Sequence, residues 1–173
     1  MKKIRFKVFE TNSSSAHSLC IYGVKMILGY ERETSFPLED NVIKISLEDC
    51  EFGWGYETYT DPYNKLKYAI MLVVELECRK FNTVEEIYGT EGFQLIQQFV
   101  PHKIVIIDDT FGNVEYKCKE GHPYTYHRHA GYIDHLSLSG YSCLNSFLKD
   151  WEVDINTFLY NSELELIIDN DNN

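Results

Sequence analysis

Two stretches of the chain hold side chains able to move protons or attack as nucleophiles, and a third is composed to be recognised. The first is Asn12-Ser13-Ser14-Ser15-Ala16-His17. Serine hydroxyls and the N–H groups of a loop could hold a phosphate there. His17 titrates near neutrality, and a serine beside such a base is the minimum for nucleophilic catalysis. The stretch lacks the glycine pattern of a phosphate-binding loop and the Gly-x-Ser-x-Gly elbow. The same residues serve turns, where serines satisfy main-chain groups. Ser13, Ser14, Ser15 and His17 are thus catalytic candidates without an assigned role.

The second stretch gathers His122, His127, His129 and His135, with Cys118 and Asp134 beside them. These are ligand types for zinc or another transition metal. His127 and His129 share a face if they lie on a strand. The spacing Cys-x3-His-x4-His-x-His-x5-His fits no zinc signature, and a solvated, aromatic-rich loop gives the same residues. The four histidines are metal candidates only, and no motif in the chain calls for a cofactor.

The third stretch runs from Glu48 to Asp61. It carries Glu48, Asp49, Glu51, Glu57 and Asp61 with no Lys or Arg, interleaved with Phe52, Trp54, Tyr56 and Tyr59. Carboxylates can bind a partner's arginines while aromatics anchor the contact. Glu48, Asp49, Glu51, Trp54, Tyr56 and Glu57 are the partner-binding candidates. A plainer reading also fits: Phe52, Trp54 and Tyr56 alternate as in a strand and would pack inward, leaving the acids solvated.

Periodicity supplies the elements that position these groups. Ile4, Phe6 and Val8 alternate with Arg5 and Lys7 as a half-buried strand, and Ser18 to Tyr22 and Val42 to Leu47 read as two more. Asp61-Pro62 is a helix start, and apolar spacing to about Lys80 predicts a central helix over 62–80, apolar all round at 69–74. Glu75 and Arg79 are placed for an i, i+4 pair. Thr83 and Glu86 predict a capping box, and a further helix spans Phe93 to Val100 before Pro101. His102 to Ile107 is predicted as a strand covered on both faces, with Val114 to Cys118 as its hairpin partner and 119–135 as a long loop. Leu144 to Trp151 and Asp154 to Tyr160 read as helices, and Glu163 to Ile168 as a final strand. Glu163 and Glu165 would then sit well beside Arg5 and Lys7.

The fold expected is α+β: a single compact domain over 1–168, with a mixed or antiparallel sheet and a central buried helix near 62–80, and a polar tail at 169–173. A chain of 173 residues can bury roughly 70% of its unfolded surface and needs no staples. The five cysteines form no CxxC pair, which points to reduced thiols and a cytoplasmic setting. The basic start at Lys2, Lys3, Arg5 and Lys7 leads into no apolar leader, and no run is long enough to span a membrane.

Charge excludes more. With 27 acidic and 16 basic side chains the net charge is −11, which opposes direct nucleic-acid binding and docking on an anionic membrane. Aromatics make up 14% of the residues, 13 of them tyrosine. An acidic, tyrosine-rich surface suits a protein partner that itself presents a basic surface. After Lys149 the chain has seven acids and no Lys or Arg, making a second acidic segment.

Phe9-Glu10-Thr11-Asn12-Ser13-Ser14-Ser15-Ala16-His17-Ser18-Leu19 resembles the opening of a group of uncharacterised bacteriophage and prophage proteins. These begin with a short basic strand and a Glu-Thr-Asn-Ser-Ser-Ser-x-His-Ser segment. The tail from Asp154 to Asp171, with Phe158-Leu159-Tyr160-Asn161, is similar to the same pattern. The resemblance implies a mobile-element origin and brings no activity with it. Together these features point to a phage-encoded accessory protein in the bacterial host cytoplasm. It would bind and inhibit or modulate a host nucleic-acid-handling protein, such as a CRISPR effector or another defence nuclease. The alternative is a small enzyme acting on a nucleotide or nucleic-acid phosphate through Ser13–Ser15 and His17.

Overall fold

The protein is described by a computed structural model over residues 15–21, 36–53, 56–117, 123–133, 138 and 140–170. In chain order the elements are β1 (Ser15–Ile21), β2 (Val42–Ser46), β3 (Glu51–Phe52), β4 (Glu57–Tyr59), α1 (Pro62–Glu77), α2 (Glu91–Phe99), β5 (Lys103–Ile107), β6 (Gly112–Lys117), β7 (Pro123–Arg128), β8 (Tyr132–Ile133), α3 (Leu144–Asp150), α4 (Ile155–Tyr160) and β9 (Leu164–Asn170). Helix α1 lies at the centre of an α+β arrangement. Every residue from Tyr68 to Val74 is buried, as an apolar run with no polar stripe demands. Asp61 starts the helix by accepting the Asn64 N–H at 2.9 Å, ahead of Pro62.

The strands form four small sheets. β9 is the middle of an antiparallel set with β1 on one side and β4 on the other. β2 and β5 pair in parallel, as do β3 and β8, and β6 and β7 form an antiparallel ribbon. Ile43 and Ile45 of β2 and Ile104 and Ile106 of β5 turn into the core beside Leu66, Ile70, Ile87 and Ile96. Side chains occupy main-chain groups of the parallel pair. Gln97 accepts the Ile104 N–H at 3.0 Å, the Tyr88 hydroxyl accepts that of Ile106 at 3.1 Å, and Tyr63 donates to the Lys44 carbonyl at 3.1 Å. Groups used in this way offer no free ladder to another chain.

Two charged residues of α1 hold other elements by their backbones. The Glu77 carboxylate accepts the Leu144 N–H at 3.0 Å and the Gly92 N–H at 3.1 Å, so one side chain caps both α3 and α2. A Cβ at Gly92 would lie 2.4 Å from Glu77 Oε1 and 2.7 Å from Val73, so any larger residue would displace the carboxylate that caps both helices. Lys65 is fully buried and donates to the Asn161 carbonyl at 2.7 Å, tying the start of α1 to the end of α4. Burial pushes its ammonium down to about 8, against the pull of Asp61 and Glu165.

Several expectations need correction. Val114 to Cys118 was predicted to pair with the strand ending at Ile107, but β6 pairs with β7. Asp108 accepts the Thr110 N–H and hydroxyl, both at 2.7 Å, and turns the chain away. Gly112, at φ +137, then runs so close to the Asn82 carbonyl that a Cβ would sit 2.7 Å from it. Residues 119–135 are not simply a loop, since 123–128 and 132–133 are strands. β5 is not covered on both faces: Ile107 is 42% exposed and Lys103 is exposed. Arg79 donates to the Glu75 main-chain carbonyl rather than to its carboxylate. Residues 4–8 lie outside the described residues, and over Leu166–Ile168 both neighbours of β9 are already β1 and β4. Glu165 sits opposite Cys20 in that ladder.

Glu77→Ala should lower the unfolding free energy in urea by about 2 kcal/mol, since two helix caps are lost together. Glu77→Gln, which keeps an acceptor oxygen, should lose less, and wild-type stability in the alanine variant would contradict the double cap. For Lys65, the unfolded chain holds its proton to about 10.5 while the folded chain releases it from about 8. Stability relative to Lys65→Met should therefore rise between those pH values, and a constant difference would contradict the burial of the charge.

Candidate functional site

The acidic segment folds as a short 3-10 turn at Leu47–Asp49, the strand β3, and the strand β4 that leads to α1. Glu48, Asp49 and Glu51 are exposed, and Tyr56 is 69% exposed. Among the described residues no Lys or Arg lies within ion-pair distance of these three acids. The basic side chain nearby is Lys67, which donates to the Asp49 main-chain carbonyl at 3.3 Å and lies over the Tyr63 ring. Glu57 is partly engaged, because it accepts the Tyr59 hydroxyl; burial and that carboxylate both hold the phenol's proton tightly. Phe52 is buried edge-on between Tyr59 and Tyr68 and fixes the segment to α1. Inward packing therefore describes Phe52, while Tyr56 stands outward. Trp54 lies outside the described residues.

The second acidic segment is more occupied by the fold. Asp154 caps α4 by accepting the Thr157 N–H at 2.7 Å, and Asp150 accepts the Tyr141 hydroxyl at 3.0 Å. Carboxylates spent this way are less available to a partner.

The serine–histidine stretch is described in part, from Ser15 to His17. Ser13 and Ser14 lie outside the described residues, and Ser15 and His17 are strand residues of β1 rather than loop residues. The register places His17 opposite Ile168, a buried residue. It thus belongs to a different sheet from His127.

Of the histidine group, His122 and His135 lie outside the described residues, as do Cys118 and Asp134. His127 and His129 sit at the end of β7 with their rings 5.6 Å apart. Among the described residues no three His, Cys, Asp or Glu side chains form a metal-holding group. The surroundings of the two described histidines differ. His129 Nδ1 faces the Ala130 carbonyl at 3.0 Å, and its Nε2 lies 3.7 Å from the Glu75 carboxylate, with both side chains about 15% exposed. Burial opposes a charge on His129, but Glu75, the Ala130 carbonyl and Asp108 outweigh it and hold its pKa above the ordinary value. His127 packs edge-on to Phe111, and neither of its shielded ring nitrogens has a hydrogen bond of good geometry. Burial, then the neighbouring His129, push its pKa down, against weaker support from the Phe81 carbonyl, Glu75 and Asp108.

Sequence reasoning missed Glu75 and Asp108. From the sequence Glu75 reads as a partner of Arg79 and Asp108 as a turn residue, and no spacing links positions 75, 108 and 129. Only the return of the β7 strand over the end of α1 brings them together. The arrangement can hold and exchange protons, since one histidine favours its charged form and its neighbour the neutral form.

His129 carries a raised folded pKa, so its stabilisation is full below the ordinary value and is lost as pH rises through the folded one. Glu75→Gln should therefore cost about 1 kcal/mol at pH 6 and clearly less at pH 9. The His129 titration followed by NMR should move down in the same variant. An unmoved titration would contradict the pair. No family model, curated protein or solved structure matches the chain, and the functional reading rests on these residues and their geometry.

Proposed function

We propose that this is an acidic accessory protein that binds, and thereby inhibits or modulates, a nucleic-acid-handling protein. It docks with the face formed by Glu48, Asp49, Glu51, Tyr56 and Glu57. The observation that supports this reading is the pairing of exposed carboxylates, with no Lys or Arg in ion-pair distance of Glu48, Asp49 or Glu51 among the described residues, with a tyrosine that is 69% exposed, on a segment anchored through buried Phe52. Rigid backing matters, because a fixed acidic face loses less freedom on binding than a loose one. A basic groove that normally holds phosphates is the complementary surface, and its arginines can make charge-assisted pairs with the carboxylates. In its sharpest form the partner is a defence nuclease of a bacterial host, of the CRISPR type, and the protein an inhibitor carried by a phage. The phage-like segment Glu10 to Ser18 motivates that form.

No helix among the described residues is long and apolar enough to cross a membrane. The alternative, an enzyme using Ser13, Ser14, Ser15 and His17, gains no support from a strand position for Ser15 and His17.

Affinity capture from a bacterial lysate should recover a basic nucleic-acid-handling protein on the wild-type chain. Capture should weaken by tenfold or more, on the order expected for several charge pairs, with the triple variant Glu48→Lys, Asp49→Lys, Glu51→Lys. It should also weaken with added salt. Capture of such a partner that is indifferent to the three reversals would refute this face, and recovery of no such partner would refute the function.

A further inference from the structure

The return of the chain into β8 adds a residue to the acidic segment. β8 pairs in parallel with β3, and the register sets Tyr132 beside Glu51 and Ile133 beside Phe52. Phe52 and Ile133 are both buried, so the alternation of a strand turns Glu51 and Tyr132 together to the outer face, where Glu51 is exposed and Tyr132 half-buried. Their backbones lie one strand spacing apart, about 4.8 Å. The placement is rigid. The Tyr132 N–H donates to the Cys50 carbonyl at 2.9 Å. Gly131, at φ +78, lies so close that a Cβ would meet the Leu47 carbonyl at 2.4 Å and that of Cys50 at 2.9 Å. Asp108 accepts the Ala130 N–H at 2.6 Å, and Phe52 is held edge-on by Tyr59 and Tyr68.

We propose that Glu51 and Tyr132 form a subsite for an arginine side chain, a carboxylate and an aromatic ring set side by side to take one guanidinium. That the subsite serves partner docking rests on the function proposed above. A guanidinium is flat and weakly hydrated. It lies on a phenol ring while the N–H groups of its edge reach a carboxylate beside that ring. An ammonium is a compact point charge that sheds its water less readily and presents no flat face to the ring. Among the described residues Glu51 has no Lys or Arg within ion-pair distance, so its charge is left for an incoming cation. The same segment already holds one cation by related means. Lys67 lies over the Tyr63 ring, 5.4 Å from its centre, and donates to the Asp49 carbonyl at 3.3 Å. There the ring is joined by a neutral oxygen, whereas Tyr132 is joined by a full negative charge. The acidic face therefore carries a chemical preference as well as a charge: the residue it takes at this point is arginine, and lysine is the poorer fit.

The test is an NMR titration of the whole chain, at one ionic strength, with two synthetic peptides: acetyl-Gly-Arg-Gly-Arg-Gly-amide and its lysine counterpart. The arginine peptide should bind about threefold tighter or more, the scale of a cation–ring contact near a surface, with the largest shifts at the Tyr132 ring and the Glu51 carboxylate. Tyr132→Leu should bring the two peptides to equal affinity, and Tyr132→Phe should keep the preference. Glu51→Gln should weaken the arginine peptide more than the lysine one. Should Tyr132→Leu misfold, the wild-type chain decides instead: nuclear Overhauser contacts must join the arginine δ protons to the Tyr132 ring. Equal affinities in the wild-type chain, shifts centred elsewhere, absence of those contacts, or a preference that survives Tyr132→Leu would each overturn the subsite. Because the probe is a peptide, none of these outcomes depends on a natural partner. Failed capture from lysate removes the docking function and leaves the subsite standing, whereas equal peptide affinities remove the subsite and leave the docking function standing.

Discussion

Helix α1 has no solvent-facing side through its middle, and the rest of the structure follows from covering it. Burying Tyr68 to Val74 on every face requires α2, α3, α4 and the small sheets to close around one rod. Packing alone would leave their rotation about that rod loosely set. Three charged residues of α1 supply direction. Lys65 reaches the end of α4, Glu77 reaches the starts of α2 and α3, and Glu75 reaches the exit of the ribbon. Each acts on main-chain groups or on one ring, and so fixes position and not merely contact.

The two chemical features of the molecule hang from the same rod. The acidic segment is pinned by Phe52 against Tyr68, and the histidine pair by Glu75. Between them runs a short link in which Gly131 touches the carbonyls of Leu47 and Cys50. Cys50 itself is inert there: burial pushes its thiol up to about 12. The exposed acidic segment and a cluster able to take up a proton are thus neighbours through the backbone, though far apart in sequence.

What the chain's sequence made legible follows local physics. Asp61-Pro62 and Asp154 start helices by the chemistry of their caps, and the all-round apolar run marked the buried helix. The Thr83–Glu86 pair was also readable, although it starts a 3-10 turn, with Glu86 accepting the Thr83 N–H at 3.0 Å. Strand partners were not readable. The run at Lys103–Ile107 has branched side chains on both faces, which hides its period of two, and its parallel partner β2 lies far back in the chain. Tyr124 and Tyr126 do alternate with Thr125, but histidines and glycine around them made the segment look like a loop. The acidic face was legible in composition, because exposure is what charge favours. The Glu75–His129 pair was not, because it is made by tertiary return of the chain alone.

The central claim is that the carboxylates of the 48–57 face are the ones a partner covers. Carbodiimide labelling of surface carboxylates, read by mass spectrometry with and without the captured partner, measures this directly. The account predicts that labelling of Glu48, Asp49 and Glu51 falls in the complex while that of Asp150, Glu152 and Glu163 is unchanged. Protection of the second group with the first still fully labelled would contradict it.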